Sequence, residues 1–107
     1  MIELTGKQKR HLRGMGQKLR PLLAIGKAGL SDGFVATADE LLRRQELIKL
    51  RLPAGSGGQR QQLAEQLAEA VGACCAGVVG RTALLYRPNP DLPDDDRIEL
   101  PPANQAG

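Results

Sequence analysis

Apolar residues recur every three or four positions in three parts of the chain, and this spacing predicts three amphipathic helices. The first follows Thr5, which can cap it, and runs to about Leu19 before Pro21 stops it. The second begins after a cap at Ser31 or Asp32, and the third follows a Gly/Ser loop. The predicted apolar stripes are Leu12, Met15 and Leu19; Phe34 or Val35, Ala38, Leu41 and Leu42; and Leu63, Leu67, Ala70 and Val71.

Two segments between these helices predict strands. Residues 22–25 form a short continuous apolar run, which is typical of a buried strand. Residues 47–52 alternate, so that apolar side chains at the even positions face one side while Lys49 and Arg51 face the other. This alternation predicts a half-buried strand with a basic outer face.

Two more strands, at about 76–79 and 82–87, follow the third helix. The Gly80-Arg81 dipeptide between them fits a two-residue hairpin turn with glycine first. The order of elements is therefore α-β-α-β-α-β-β. It predicts an α+β (α/β two-layer) fold, in which a small mixed four-stranded sheet has helices packed on a face.

Length and charge predict one domain with a tail of opposite charge. The chain has 107 residues, of which 41% are hydrophobic, so it can form one globular core. Residues 1–87 carry fourteen basic and seven acidic side chains, whereas residues 88–107 carry one basic and five acidic ones. We therefore expect a domain at 1–88 and an acidic, Pro-rich, flexible tail, loosely attached, at 89–107.

The positive charge is concentrated near the start of the chain. Residues 4–31 hold seven Lys or Arg and no acidic side chain, which indicates a polyanionic partner. The segment contains Gly26-Lys27-Ala28-Gly29, a loop in which missing Cβ atoms let a phosphate backbone approach the N–H groups of the following helix. The alternative is a tight turn that needs its glycines only for positive φ. Together the two features make nucleic acid the leading partner, and the loop favours RNA.

No other pattern predicts catalysis, a metal site, a cofactor or a membrane function. The adjacent Cys74 and Cys75 have neither disulfide geometry nor metal-ligand spacing, and His11 has no recognisable partners in the sequence. No apolar run has the length of a membrane span or of an export signal, so we expect a cytoplasmic protein. Phe34 and Tyr86 are the only aromatic residues, too few for a sheet that stacks bases, so recognition of backbone and shape should dominate.

Four segments of the chain match the order and spacing of a known family. They are residues 4–13 (LTGKQKRHLR), 25–30 (IGKAGL), 46–50 (ELIKL) and 79–88 (VGRTALLYRP). Over about residues 2–88 the sequence resembles the CRM domain (chloroplast RNA splicing and ribosome maturation), in its free-standing bacterial YhbY-type form.

This resemblance implies a fold like that of the C-terminal domain of translation initiation factor three, and RNA binding without catalysis. It also implies association with precursor ribosomal RNA and pre-ribosomal particles of the large subunit, through a functional GxxG loop at residues 26–29. The Gly/Ser loop at 55–58 and the acidic tail match no motif of the family.

The resulting hypothesis is an RNA-binding accessory factor of large-subunit assembly, with no enzymatic activity, small-molecule substrate or membrane partner. Two alternatives remain. One is a ribosome-associated protein-interaction module or translation regulator that uses the exposed sheet; the other is a small phosphate-handling enzyme, for which the sequence lacks paired carboxylates, a metal cluster or an activated nucleophile. The predicted RNA-binding residues are Lys7, Lys9, Arg10, Arg13, Lys18, Arg20, Gly26, Lys27, Ala28, Gly29 and Arg81.

Overall fold

The computed structural model describes residues 3–26 and 28–102. Over these residues the chain forms three α-helices and four strands, followed by a short 3-10 turn at Asp94–Asp96. The order confirms the prediction from the sequence. The elements are α1 (Gly6–Gly16), β1 (Leu23–Ala24), α2 (Asp32–Arg44), β2 (Leu47–Arg51), α3 (Gly57–Ala70), β3 (Cys74–Val79) and β4 (Thr82–Tyr86).

The helices begin at side-chain caps that the sequence predicts in two of three cases. Thr5 accepts a hydrogen bond from the backbone N–H of Gln8, whose side chain accepts one from the N–H of Thr5 in return. Ser31, rather than Asp32, caps α2. The first helix ends at Gly16 instead of near Leu19, because its two C-terminal glycines have poor helix propensity.

The four strands form one mixed sheet in the order β1-β2-β4-β3. β1 pairs parallel to β2, while β2 with β4 and β3 with β4 pair antiparallel. The prediction of a buried first strand was wrong. Only Leu23–Ala24 are in ladder register, and Leu22 is 44% exposed, because β1 lies at the edge of the sheet and has a neighbour on one side only.

The sheet carries helices on both faces, which differs from the two-layer arrangement expected from the sequence. Ile48, Leu50 and Leu85 belong to one apolar cluster with residues of α2 and α3. Leu47 and Leu84, which alternate with them along the strands, belong to a second cluster with Leu12 of α1. Because Leu47, Leu84 and Tyr86 make part of this second face apolar, α1 packs on the side opposite to α2 and α3.

Residues 89–102, which we call the C-terminal strap, pack against the α1 side of the domain. Ile98 and Leu100 join the cluster around Leu12, and the side chain of Gln8 donates to the carbonyl of Pro101 at 2.9 Å. The expectation of a loosely attached tail therefore does not hold for residues 89–102. The buried carboxylate of Glu46 accepts hydrogen bonds from their backbone, and their own side chains Ile98 and Leu100 pack into the second cluster. Residues 103–107 of the predicted tail lie outside the described residues.

Among the described residues, no helix has the length and apolar character needed to cross a bilayer.

Candidate nucleic-acid interface

The first helix presents Lys7 and Arg10 on the face that points away from the sheet. Leu12 is fully buried against the sheet, whereas Lys7 and Arg10 are exposed. Lys18 and Arg20, which follow the end of the helix at Gly16, are exposed as well. α1 has no acidic residue in its first turn and none along its length. The amphipathic pattern therefore places the predicted cations where a polyanion can reach them.

Two of the predicted cations, Lys9 and Arg13, are half-buried rather than fully exposed. Lys9 lines a cavity together with Glu65, Glu69 and Cys74, so its charge faces carboxylates as well as solvent. Arg13 lies along β3 and donates from its guanidinium to the carbonyl oxygen of Ala76 at 3.3 Å. The hydrogen bond to Ala76 therefore holds Arg13 against the sheet.

The GxxG loop follows β1 and leads into α2. The backbone N–H of Gly29 donates to the carbonyl of Gly26 at 3.0 Å, and Gly29 has a φ of 69°. Gly29 thus needs to be glycine for conformational reasons, as the simple turn alternative requires. Gly26 has no positive φ, and a Cβ added to it would meet nothing within 4 Å.

Gly26 and Ala28 are both exposed, so the loop presents a surface without side-chain bulk at these positions. Neither packing nor backbone conformation within the described residues accounts for glycine at position 26. The predicted contribution of Lys27 falls on a residue that lies outside the described ranges.

The loop lies at the same end of the sheet as two arginines, one at the end of β2 and one in the turn between β3 and β4. The N–H of Ile25, next to Gly26, donates to the carbonyl of Arg51 at 2.9 Å. Arg81, in the turn between β3 and β4, is exposed, and its Nε donates to the carbonyl of Leu52 at 3.2 Å. Strand pairing thus brings Arg51 and the predicted site residue Arg81 to the end of the sheet at which the loop begins.

Lys49 and Arg51 were not among the predicted RNA-binding residues. The Nζ of Lys49 donates to the carbonyl of Gly16 at 3.2 Å and is 3.5 Å from that of Leu19, so it caps the C-terminal end of α1. Both cations lie on the α1 side of β2, and Arg51 is exposed. The signal was present in the sequence, since the alternation of residues 47–52 had already placed them on one basic face.

Most acidic side chains of the domain lie on the opposite layer. Asp39 on α2 accepts a hydrogen bond from the guanidinium of Arg87 at 2.6 Å and is 3.3 Å from Arg43. The hydrogen bond from Arg87 is the main reason that the pKa of Asp39 lies below its ordinary value. The acidic residues of α2 and α3 are Asp32, Asp39, Glu40, Glu65 and Glu69.

The remaining candidate groups have structural environments. Burial raises the pKa of both Cys74 and Cys75, which disfavours the thiolate form that nucleophilic attack or metal binding needs. Within the described part of the chain, no three His, Cys, Asp or Glu side chains are grouped to hold a metal ion. Tyr86 is 3% exposed and Phe34 packs against the core, so neither aromatic ring offers a stacking platform.

Comparison with known proteins agrees with the resemblance noted in the sequence. The family model CRS1 / YhbY (CRM) domain matches residues 4–87. The chain is 33% identical to "Probable RNA-binding protein YqeI" of Bacillus subtilis over 98 residues, which cover 92% of this chain and 99% of the relative. It is 32% identical to "Probable RNA-binding protein PA4753" of Pseudomonas aeruginosa, covering 83% and 86% of the two chains.

The fold also matches a solved structure. The solution structure of SAV1595 from Staphylococcus aureus superposes with a TM-score of 0.79 at 34% identity, covering 92% of this chain and all of that one. The relatives carry the names of RNA-binding proteins and not of enzymes, in agreement with the non-enzymatic role expected from the sequence. Because the family model matches residues 4–87, which are most of the chain, the chain belongs to the CRS1/YhbY (CRM) domain family.

Proposed function

We propose that this protein binds RNA through a continuous basic surface that runs from α1 to the GxxG loop. The observation that carries the proposal is a chain of contacts between these two features. Lys49 binds the C-terminal end of α1, Arg51 lies two residues further along the same face of β2, and the carbonyl of Arg51 accepts from the residue before Gly26.

Charge segregation supports a polyanionic partner on this side. The cations of α1 and β2 lie on one side of the sheet, and five of the seven carboxylates of residues 1–88 lie on α2 and α3, which pack on the other side. An RNA backbone approaching the α1 side would therefore be attracted locally, even though the whole chain has a net charge of only +3. The strap brings Asp96 to the end of α1, where its carboxylate opposes this attraction in part. The same asymmetry sets the orientation in which RNA would first dock.

The loop supports close contact with the RNA backbone. A Cβ on Gly26 would meet nothing within 4 Å, so a phosphate has room there, and α2, whose N-terminal dipole end favours an anion, begins shortly after the loop at Asp32. Backbone recognition of this kind needs no exposed aromatic ring, which fits the burial of Tyr86 and the packing of the partly buried Phe34 against the core.

The RNA that we propose is precursor ribosomal RNA of the large subunit, bound during assembly in the cytoplasm. This part of the proposal rests on the family resemblance. The names of the relatives support RNA binding as such.

The test is a titration of the protein with a transcribed precursor of the large-subunit ribosomal RNA over a range of salt concentrations. Three to five phosphate contacts give a slope of log affinity against log salt of roughly −2 to −4 on single-stranded RNA. A flat response would favour the alternative, a protein-interaction module. Crosslinking in cells followed by sequencing of the bound fragments then identifies the RNA, and reads spread evenly over unrelated transcripts would contradict the ribosomal assignment.

A further inference from the structure

A small cavity opens on the α1 side of the sheet, where α1 ends and leaves the strands uncovered. Its volume is about 210 Å³, and among the described residues that line it none is acidic. Two larger cavities elsewhere on the domain include Glu65 and Glu69, or Asp32 and Asp39, in their walls, whereas one beside β1 has Arg51 and no acidic residue. The groups that matter for its chemistry are Arg13, Gln17, Lys49, Gly77, Val79 and Thr82.

Two glycines give the cavity its shape. A Cβ on Gly77 would lie 2.7 Å from Cδ of Arg13, so glycine at this position lets the arginine lie flat across β3. A Cβ on Gly16 would lie 2.5 Å from Cδ1 of Leu84, so glycine there lets the end of α1 approach β4. These close approaches explain both glycines, neither of which has a positive φ.

Two cations are fixed at the walls by backbone carbonyls. The guanidinium of Arg13 donates one hydrogen bond, to Ala76, at 3.3 Å, and a guanidinium has five N–H groups. The ammonium of Lys49 is held by Gly16 at 3.2 Å. Each cation therefore has N–H groups left to donate, and among the described residues of the cavity wall no carboxylate pairs with it. An anion is the ligand that this arrangement favours.

Part of the rim of the cavity is apolar and exposed. Val79 is 63% exposed, and the hydroxyl of Thr82 donates to the carbonyl of Val79 at 2.9 Å. The hydroxyl oxygen and the amide of Gln17 can still bond with polar ligand atoms. A ligand that combines an anionic group with a flat, partly apolar group can bind both the two cations and Val79. A nucleotide is such a ligand.

We propose that this cavity holds one unpaired nucleotide of a bound RNA, with its phosphate between Arg13 and Lys49 and its base against Val79. The proposal rests on the proposed RNA binding and deepens it, because the cavity has room for one base and not for a base pair. Duplex RNA can touch the two cations only through its backbone, whereas a single strand can also insert a base. The protein then distinguishes single-stranded from paired RNA.

The first measurement is an NMR titration of the full chain with adenosine 5′-monophosphate, and then with a short single-stranded RNA. We expect the amides of Gly77 and Thr82 and the methyl groups of Val79 to shift in both titrations. RNA binding that leaves these signals unmoved would overturn the cavity proposal while leaving the proposed function intact. Absence of any RNA binding would overturn both.

The second measurement compares variants on single-stranded RNA and on a duplex of equal length. Lys49→Met should weaken single-strand binding about fivefold and duplex binding less. Arg43→Met is the matched control, since it removes one charge from an exposed side chain on α2, and it should change both affinities less than twofold. Equal effects of the two variants would contradict the proposal.

Because Lys49 also caps α1, a second variant keeps the test independent of folding. Val79→Glu changes an exposed side chain and places a carboxylate at the rim of the cavity. It should weaken single-strand binding more than Lys49→Met does, with an unchanged spectrum in the absence of RNA. Single-strand affinity equal to wild type would contradict the proposal.

Discussion

The Oε1 atom of Glu46 lies 2.5 Å from the backbone nitrogen of Ile98, although the two residues are 52 positions apart. The other carboxylate oxygen accepts from the backbone N–H of Asn89 at 2.6 Å. Glu46 is 1% exposed, and the Nε of Arg97 lies 3.3 Å from it. One buried carboxylate, placed directly before β2, therefore binds the C-terminal strap at two points.

Removing this carboxylate should lower the denaturant concentration at which the protein unfolds. Glu46→Ala leaves two backbone N–H groups without an acceptor and removes charge-assisted hydrogen bonds, so we expect the free energy of unfolding to fall by about 2 kcal/mol or more. Glu40→Ala, which removes an exposed carboxylate paired with Arg44, should cost less than about 0.5 kcal/mol. Equal midpoints in urea for the two variants would contradict the role of Glu46.

The acidic 3-10 turn in the strap can be tested without disturbing this anchor. Asp94, Asp95 and Asp96 are exposed, and Asp96 lines a cavity with Met15 and Leu19 at the end of α1. Changing all three aspartates to Asn should leave stability near wild type and tighten RNA binding several-fold at low salt, because negative charge near the basic helix opposes RNA. The gain should vanish above about 0.1 M salt, where the Debye length is about 10 Å. Unchanged affinity at low salt would show that the three aspartates are only solvated surface charges and do not oppose RNA binding.

The sequence predicted the local features of this fold and missed the long-range ones. The cap at Thr5 and the turn before Thr82 follow from side-chain chemistry within a few residues and are where the sequence placed them, and Ser31 is one of the two caps that it offered for α2. Glu46 carries no comparable signal. In the sequence it is one more charged residue, and only its contacts with Asn89 and Ile98 make it a structural anchor.

The candidate site was likewise predictable in part. Charge clustering identified the exposed face of α1, and the glycine spacing identified the loop. The shape of the cavity depends on Gly77 meeting Arg13 across a helix–sheet contact, and no local pattern encodes that approach. The exposure of Leu22 was missed for the same reason, since an apolar run does not reveal whether its strand lies at the centre or at the edge of a sheet.

Acid should destabilise the protein partly through Asp39. The hydrogen bond from Arg87 holds the pKa of Asp39 below its ordinary value of 3.8, so the ionised form stabilises the fold above that pH. This contribution is lost as the pH falls through the lowered pKa. The loss of stability between about pH 5 and about pH 2 should therefore be smaller for Asp39→Asn than for wild type. Glu40→Gln serves as the control, and identical acid profiles for wild type and Asp39→Asn would contradict the assignment.

The two loop glycines should differ when each is changed to alanine. Gly29→Ala forces a side chain into a conformation with φ of 69° and should cost about 1–2 kcal/mol of stability. Gly26→Ala adds a methyl group in open space, so stability should be unchanged or slightly higher. If a phosphate approaches Gly26, only this variant weakens RNA binding without destabilising the fold. Wild-type affinity of Gly26→Ala would mean that nothing approaches closely there.

Contact between RNA and the GxxG loop is tested by one double variant. Changing Lys27 and Ala28 to aspartate keeps both glycines and places two negative charges where we propose that a phosphate binds. The measurement is the affinity of this variant for the transcribed large-subunit precursor RNA at low salt, together with its thermal midpoint. We expect a midpoint near wild type and a loss of affinity greater than the roughly fivefold expected for Lys27→Ala, which removes one ionic contact. A double variant that folds normally and binds this RNA with wild-type affinity would show that the loop is only a turn and that the RNA surface lies elsewhere.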